Sequence, residues 1–296
     1  MIGYGHQYID DSDIEAVVKV LKSDYLTQGP SVTQFEKTIC EITGAKYCVS
    51  VSNATAGLHI AVATLGLKEG DEGITTPNTF LASSNCMVYN NVKPVFADIN
   101  PVSYNIDPAE IEKHITDKTK LLVPVHFAGL PCEMEKINSI AKKHNLHVIE
   151  DAAHAIGSQY ADGSYVGNCK YSDMTVFSFH PVKTITTGEG GAVTTNDEKL
   201  YQKLLMLRSH GTTKDENLLT KNSGPWYYEM QSLGFNYRMT DMQAALGCSQ
   251  LAKLDWFKKR RREIVAAYNN AFAGMKYLKT PLSSTFPNIT SEKLIS

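Results

Sequence analysis

The chain has 296 residues, 43% of them hydrophobic, with 29 basic against 31 acidic side chains. That length can bury one large core or two ordinary ones, and the balanced charge leaves no basic surplus to neutralise a nucleic-acid backbone. The six cysteines form no C-x-x-C pair and no secreted spacing, so they read as reduced thiols in a cytoplasmic protein; neither a signal core near the start nor a membrane-length apolar run is expected.

Ser12-x-x-Glu15 reads as a capping box ahead of Ile14, Val17, Val18 and Leu21, and predicts an amphipathic helix that ends before Asp24. After the turn Leu26-Thr27-Gln28-Gly29-Pro30 a second helix over 32–42 closes at Gly44, a natural left-handed cap. Residues 47–51 suit a strand. It runs into Ser52-Asn53-Ala54-Thr55-Ala56-Gly57 and then into helical spacing through Leu58, Ile60, Ala61 and Leu65. Small and hydroxyl residues at such a junction leave the first backbone N–H groups free at the positive end of the helix dipole, where a phosphate can sit. Ser and Thr also cap ordinary helices, so this signal needs a partner.

From 73 to 150 short apolar stretches (74–76, 94–97, 121–125, 148–150) alternate with helical patterns (81–89, 108–115, 133–144). The alternation implies βαβ units, an α/β fold and a mostly parallel sheet. Such sheets bind ligands beyond the carboxyl ends of their strands. Phe80 falls just past one such end and Asp151 at another, within Val148-Ile149-Glu150-Asp151-Ala152-Ala153-His154-Ala155.

The apolar run 174–179 is a buried strand that Pro181 stops, which delivers Lys183 onto a loop. Gly188-Glu189-Gly190-Gly191 then lets backbone approach a bound group closely. Residues 191–195 return as a strand and 197–207 as a helix, 212–226 is polar and loop-like, and a further helix runs through Ala244, Ala245 and Leu246. The basic cluster 258–262 lies opposite Leu254, Phe257, Ile264 and Val265, as a solvated helix face would. From Met275 onward the chain is turn-rich, and no internal repeat or metal-ligand spacing stands out.

A loop lysine, an acid at a strand end, a phosphate nest at a helix start and an aromatic at another strand end are the parts that pyridoxal 5′-phosphate requires. The amine forms a Schiff base, the carboxylate keeps the pyridine nitrogen protonated, the nest anchors the phosphate and the ring offers a stacking face.

The chain resembles the sugar-nucleotide aminotransferases of the DegT/DnrJ/EryC1/StrS family. The resemblance is carried, in family order, by Leu26-Thr27-Gln28-Gly29-Pro30, Ser52-Asn53-Ala54-Thr55, Thr79-Phe80-x-Ala82, Glu150-Asp151-Ala152-Ala153-His154-Ala155, Phe177-Ser178-Phe179-His180-Pro181-x-Lys183, Thr186-Thr187-Gly188-Glu189-Gly190-Gly191 and Gly234-x-Asn236-x-Arg238. It implies the large domain of a fold type I pyridoxal-phosphate transferase. It further implies that Lys183 holds the cofactor covalently, Asp151 pairs with the pyridine nitrogen, Phe80 stacks on the ring and His154 approaches its phenolic oxygen. Ala54 and Thr55 backbone and Ser178 would hold the phosphate, and Asn236 would serve the neighbouring subunit of a homodimer with shared active sites. Asn53-Ala54 replaces the glycine common in the family's nest, a change that spares the backbone donors.

Within the group, Pro225-Trp226-Tyr227-Tyr228-Glu229-Met230-Gln231 looks most like the transaminases of the pseudaminic acid pathway. That likeness implies transfer from L-glutamate to C4 of a UDP-linked 4-keto-6-deoxy-2-acetamido sugar. The alternatives are another nucleotide-linked 3- or 4-ketosugar, a dehydratase, against which Lys183 speaks, and a catalytically silent binding protein on the same fold. The expected organisation is an N-terminal arm and helix over 1–29, a cofactor-binding large domain over 30–260, and the start of a C-terminal small domain over 261–296 that the chain's end at Ser296 leaves truncated.

Overall fold

Asp10, not Ser12, starts the first helix. In the computed structural model, which describes residues 6–221 and 223–281, Asp10 Oδ1 accepts from the Ser12 and Asp13 backbone N–H groups while Asp13 Oδ2 accepts from that of Asp10. A carboxylate suits the positive end of α1 (Asp11–Leu21) better than a hydroxyl does, which moves the capping box earlier than expected. The second helix, α2 (Pro30–Thr43), has proline at its start and ends on Gly44 at φ 83°, the left-handed cap that the sequence predicts. Gly29 offers α2 no side-chain cap. Asp241 supplies one from far along the chain, accepting from the N–H groups of Gly29, Ser31 and Val32.

Next, β1 (Tyr47–Val51), α3 (Ala54–Thr64), β2 (Glu72–Thr75), α4 (Ala82–Val88), β3 (Lys93–Phe96), α5 (Pro108–Lys113), β4 (Thr119–Val123), α6 (Met134–His144) and β5 (His147–Asp151) alternate. After a turn-rich segment come β6 (Met174–Ser178), β7 (Gly191–Thr195), α7 (Glu198–Arg208), β8 (Thr212–Thr213), β9 (Glu229–Met230), α8 (Asp241–Ala252) and α9 (Leu254–Phe272). The stretch 212–226, expected as loop, opens on β8, which pairs antiparallel with β9. Two residues are too few for an alternation signal, and the partner lies well downstream.

Seven strands form one sheet in the order β1-β7-β6-β5-β4-β2-β3. The pairings β2–β3, β2–β4, β4–β5 and β5–β6 are parallel, and β7 runs antiparallel to both β1 and β6. The sheet is mostly parallel, as expected, and β1 to β6 share one direction. Their carboxyl ends therefore line a single rim. Gly191, which opens β7, pairs there with both Val51 and Ser178.

Both faces of this sheet are covered, and β6 and β7 are buried along their whole length. Strand alternation sorts their side chains. Val148 and Phe177 pack with Phe35, Ile39, Ile137 and Phe179 on one face; Ile149 and Val176 pack with Leu58, Ile60 and Met87 on the other, beneath α3 and α4. By the same alternation Glu150 faces the first layer and Asp151 the second.

Helix α9 runs without a break through residues 260 and 261, where the domain boundary was expected. The rest of that expected small domain, 282–296, and the first five residues of the expected arm lie outside the described residues. Among the described residues no helix is long and apolar enough to cross a membrane. All six cysteines are free.

Candidate active site

Asp151 ends β5 and is 5% exposed. Both of its oxygens are engaged by neutral donors: Ser83 Oγ donates to Oδ2 at 2.6 Å, and the Ala153 N–H donates to Oδ1 at 3.1 Å. Among the described residues no lysine, arginine or histidine forms an ion pair with it, and Lys183 is the cation within its electrostatic reach. A buried carboxylate without a contact cation is costly, and with only two donors on it Asp151 keeps acceptor capacity for a charged or hydrogen-bonding group from outside the chain.

Lys183 lies on the loop beyond β6, as the proline stop predicts, with its N–H donating to the His180 carbonyl and its own carbonyl accepting from Arg261 Nη2 at 3.0 Å. Burial pushes its ammonium below the usual lysine range, against the opposing pull of Asp151. The amine is thereby easier to deprotonate, which is what a nucleophilic lysine needs.

His154 follows Asp151 around the same turn. Its Nδ1 accepts from the Ala128 N–H at 3.2 Å, which leaves the proton on Nε2. Burial lowers the pKa of the imidazole, and the nearby Lys183 charge lowers it further, against Asp151. His154 is therefore a neutral ring with one N–H to offer.

At the head of α3 the Asn53 side chain caps Ala56 N–H at 2.8 Å, and the Gly57 N–H reaches the Asn53 carbonyl. Ala54 and Thr55 hold the remaining first-turn donors, which point out of the helix toward any anion. Ser178 ends β6 on the same face and pairs with Gly191. A Cβ on Gly191 would stand 2.7 Å from both Ala54 N and Asn53 C, so only glycine lets β7 meet the helix start so closely. The structure thus brings Ala54, Thr55, Ser178 and Gly191 into one cradle at the sheet rim.

Phe80 lies just ahead of α4, at the rim, 72% exposed and one turn before the Ser83 that touches Asp151. Asn236 is exposed and sits in a segment tied to the β1 end, since the Tyr237 carbonyl accepts from Ser52 N–H at 2.8 Å. Ser83 carries no local signal of its own beyond following the Thr79-Phe80-x-Ala82 motif, and Thr79, ahead of α4, meets it through its hydroxyl. Asp241 gives no local signal of its capping role, because its contacts cross most of the chain. Glu150 is marked by its strand-end position and by the Glu150-Asp151-Ala152-Ala153-His154-Ala155 stretch, and His126 only by a strand-end position.

The residues fit pyridoxal 5′-phosphate. A buried acid lacking a contact cation, an amine biased toward its neutral form and a helix-start cradle that any Cβ at Gly191 would fill lie along one rim. The fit rests on donor chemistry as well as placement, since the carboxylate, the N–H cradle and the amine each complement a different part of the group.

The family described as the DegT/DnrJ/EryC1/StrS aminotransferase family matches residues 7–289. The chain is 43% identical over 284 residues to a UDP-4-amino-4,6-dideoxy-N-acetyl-beta-L-altrosamine transaminase of Campylobacter jejuni, covering 95% of this chain and 72% of that one. It is 42% identical over 278 residues to the spore coat polysaccharide biosynthesis protein SpsC of Bacillus subtilis, covering 94% and 71% respectively. Among solved structures it superposes on Helicobacter pylori PseC, an aminotransferase involved in the biosynthesis of pseudoaminic acid, with a TM-score of 0.86 at 37% identity over 93% of this chain and 71% of that one.

Proposed function

The chain belongs to the DegT/DnrJ/EryC1/StrS aminotransferase family, and from that premise we propose that it moves the amino group of L-glutamate to C4 of a UDP-linked 4-keto-6-deoxy-2-acetamido sugar. The enzyme is a pyridoxal-phosphate-dependent sugar aminotransferase. The observation that carries the site assignment is the buried Asp151 carboxylate, served by neutral donors alone, within electrostatic reach of Lys183.

When bound, pyridoxal phosphate supplies an electron sink conjugated to the donor's Cα. In the proposed roles Lys183 Nζ would hold the cofactor in the resting enzyme, and as a free amine it would take the proton from the donor's Cα and supply the one that the aminated sugar carbon gains. Asp151 keeps the pyridine nitrogen protonated. Ala54 and Thr55 N–H groups and the Ser178 hydroxyl hold the phosphate, His154 offers its Nε2 proton to the phenolic oxygen, and Phe80 covers one ring face.

The choice of sugar is supported by the names of the Campylobacter and Helicobacter relatives. Near-equal identity to SpsC supports a second reading, another nucleotide-linked 3- or 4-ketosugar. The assembly is read as a homodimer in which Asn236 serves the neighbouring site. Its setting is read as the cytoplasm, where free cysteines persist. Mass spectrometry of products from a panel of UDP- and dTDP-linked 3-keto and 4-keto sugars with glutamate tests the substrate: amination of the UDP-linked 4-keto-6-deoxy-2-acetamido sugar is expected, and amination of a different member alone would replace it.

A further inference from the structure

Glu150 precedes Asp151 on β5 and is fully buried on the opposite face of the sheet. Four side chains serve its carboxylate: His126 Nε2 at 2.8 Å and Tyr160 Oη at 2.6 Å meet Oε2, while Ser172 Oγ and Thr175 Oγ1 meet Oε1. His126 Nδ1 accepts from the Cys132 N–H at 3.1 Å, so its ring is neutral and donates from Nε2. Every partner is therefore uncharged. Burial pushes the Glu150 carboxyl up, and the hydrogen bonds from His126, Ser172 and Tyr160 oppose it and hold it below its ordinary range; a charged His126 would lower it further, but the Cys132 N–H donating to Nδ1 keeps that ring neutral.

His126 also holds the neighbouring residue. Its backbone N–H donates to the Asp151 carbonyl at 3.0 Å, and the Asp151 N–H donates to the Pro124 carbonyl at 2.9 Å. One residue thus grips Glu150 by its side chain and Asp151 by its backbone. Such a dipeptide cannot rotate about the strand axis without breaking bonds on both faces of the sheet. An ionised carboxylate buried without a cation costs more than an apolar side chain in the same space. A negative charge one residue from Asp151 adds to the field around that carboxylate.

We propose that Glu150 is a positioning residue for the reaction: with His126 it fixes the setting of Asp151, and its charge helps Asp151 keep the pyridine nitrogen of the cofactor protonated. The inference rests on the assignment of Asp151 to that nitrogen, and the experiment separates the two. Holoenzyme is reconstituted with cofactor isotope-labelled at the pyridine nitrogen, and the nitrogen NMR shift is read for wild type, Asp151→Asn and Glu150→Gln. Asp151→Asn is expected to move the signal to the unprotonated position. Glu150→Gln is expected to move it part of the way in the same direction, and to lower kcat without a matching rise in KM. A signal that moves in Asp151→Asn but stays at the wild-type position in Glu150→Gln overturns the inference alone, whereas a signal unmoved in both overturns the Asp151 assignment. Should Glu150→Gln fail to fold, Tyr160→Phe keeps the carboxylate and removes one of its donors. A smaller displacement in the same direction is then expected, and an unmoved signal counts against the proposal equally.

Discussion

The Ser83 hydroxyl donates to Asp151 Oδ2 across 2.6 Å, from the first turn of α4 to the last residue of β5. Thr79 Oγ1 lies 2.7 Å from the same hydroxyl, so a short relay of neutral groups ends on the carboxylate. A hydrogen bond to a charged acceptor contributes roughly 1.5–3 kcal/mol. Ser83→Ala should lower kcat by about tenfold, the factor that about 1.4 kcal/mol of barrier represents, with KM for the sugar little changed. Steady-state kinetics on both substrates checks this; an unchanged kcat would remove Ser83 from the site.

Much of this site was legible because each part sits where a local pattern stops. Pro181 ends the β6 run and puts Lys183 on a loop, the 148–150 strand ends at Asp151, and the small residues at 52–57 mark the strand-to-helix junction. The pieces joined by long-range contacts were not. Ser83 meets Asp151, Asp241 caps α2 and His126 meets Glu150 only once the sheet order is fixed. No periodicity carries that information. Local competition hid the true start of α1, since Asp10 and Ser12 both satisfy a capping pattern and only the carboxylate fills it.

Gly191→Ala places a methyl group 2.7 Å from Ala54 N, against backbone that cannot rotate away. The cradle must open, so cofactor retention should fall while the distant core stays intact. Equilibrium dialysis of the apo variant against pyridoxal phosphate should show binding weakened by at least about tenfold, since about 1.4 kcal/mol of strain suffices for that factor. Wild-type affinity would show that the α3 start does not hold the phosphate.

Lys183 carries a signed pH dependence. Its folded-state pKa lies below the ordinary value of 10.5 because of burial, so between those two values the unfolded chain binds the additional proton. Stability of the apo protein therefore rises with pH through that window. Lys183→Met cannot titrate, so its stability relative to wild type should be greatest near neutral pH and should narrow toward about pH 10. Urea midpoints of both apo proteins across that range measure the difference, and a constant gap would mean that the amine is not shifted.

The proposed homodimer with shared active sites predicts complementation between inactive chains. In the proposed placement Asn236→Asp puts a like charge beside the cofactor phosphate, and Lys183→Ala removes the amine. In randomly mixed dimers some pairs place both lesions in one site and none in the other, so activity returns toward about a quarter of wild type at equal mixing. No recovery despite demonstrated subunit exchange would place Asn236 in the site of its own chain.

The central claim is that Lys183 is the residue that binds pyridoxal phosphate covalently. Borohydride treatment of the holoenzyme, followed by proteolysis and peptide mass spectrometry, tests it directly. A phosphopyridoxyl group fixed on Lys183 is expected, with loss of the visible absorption band on reduction; a label on any other lysine, or none on a protein that retains its cofactor, would overturn the assignment of Lys183.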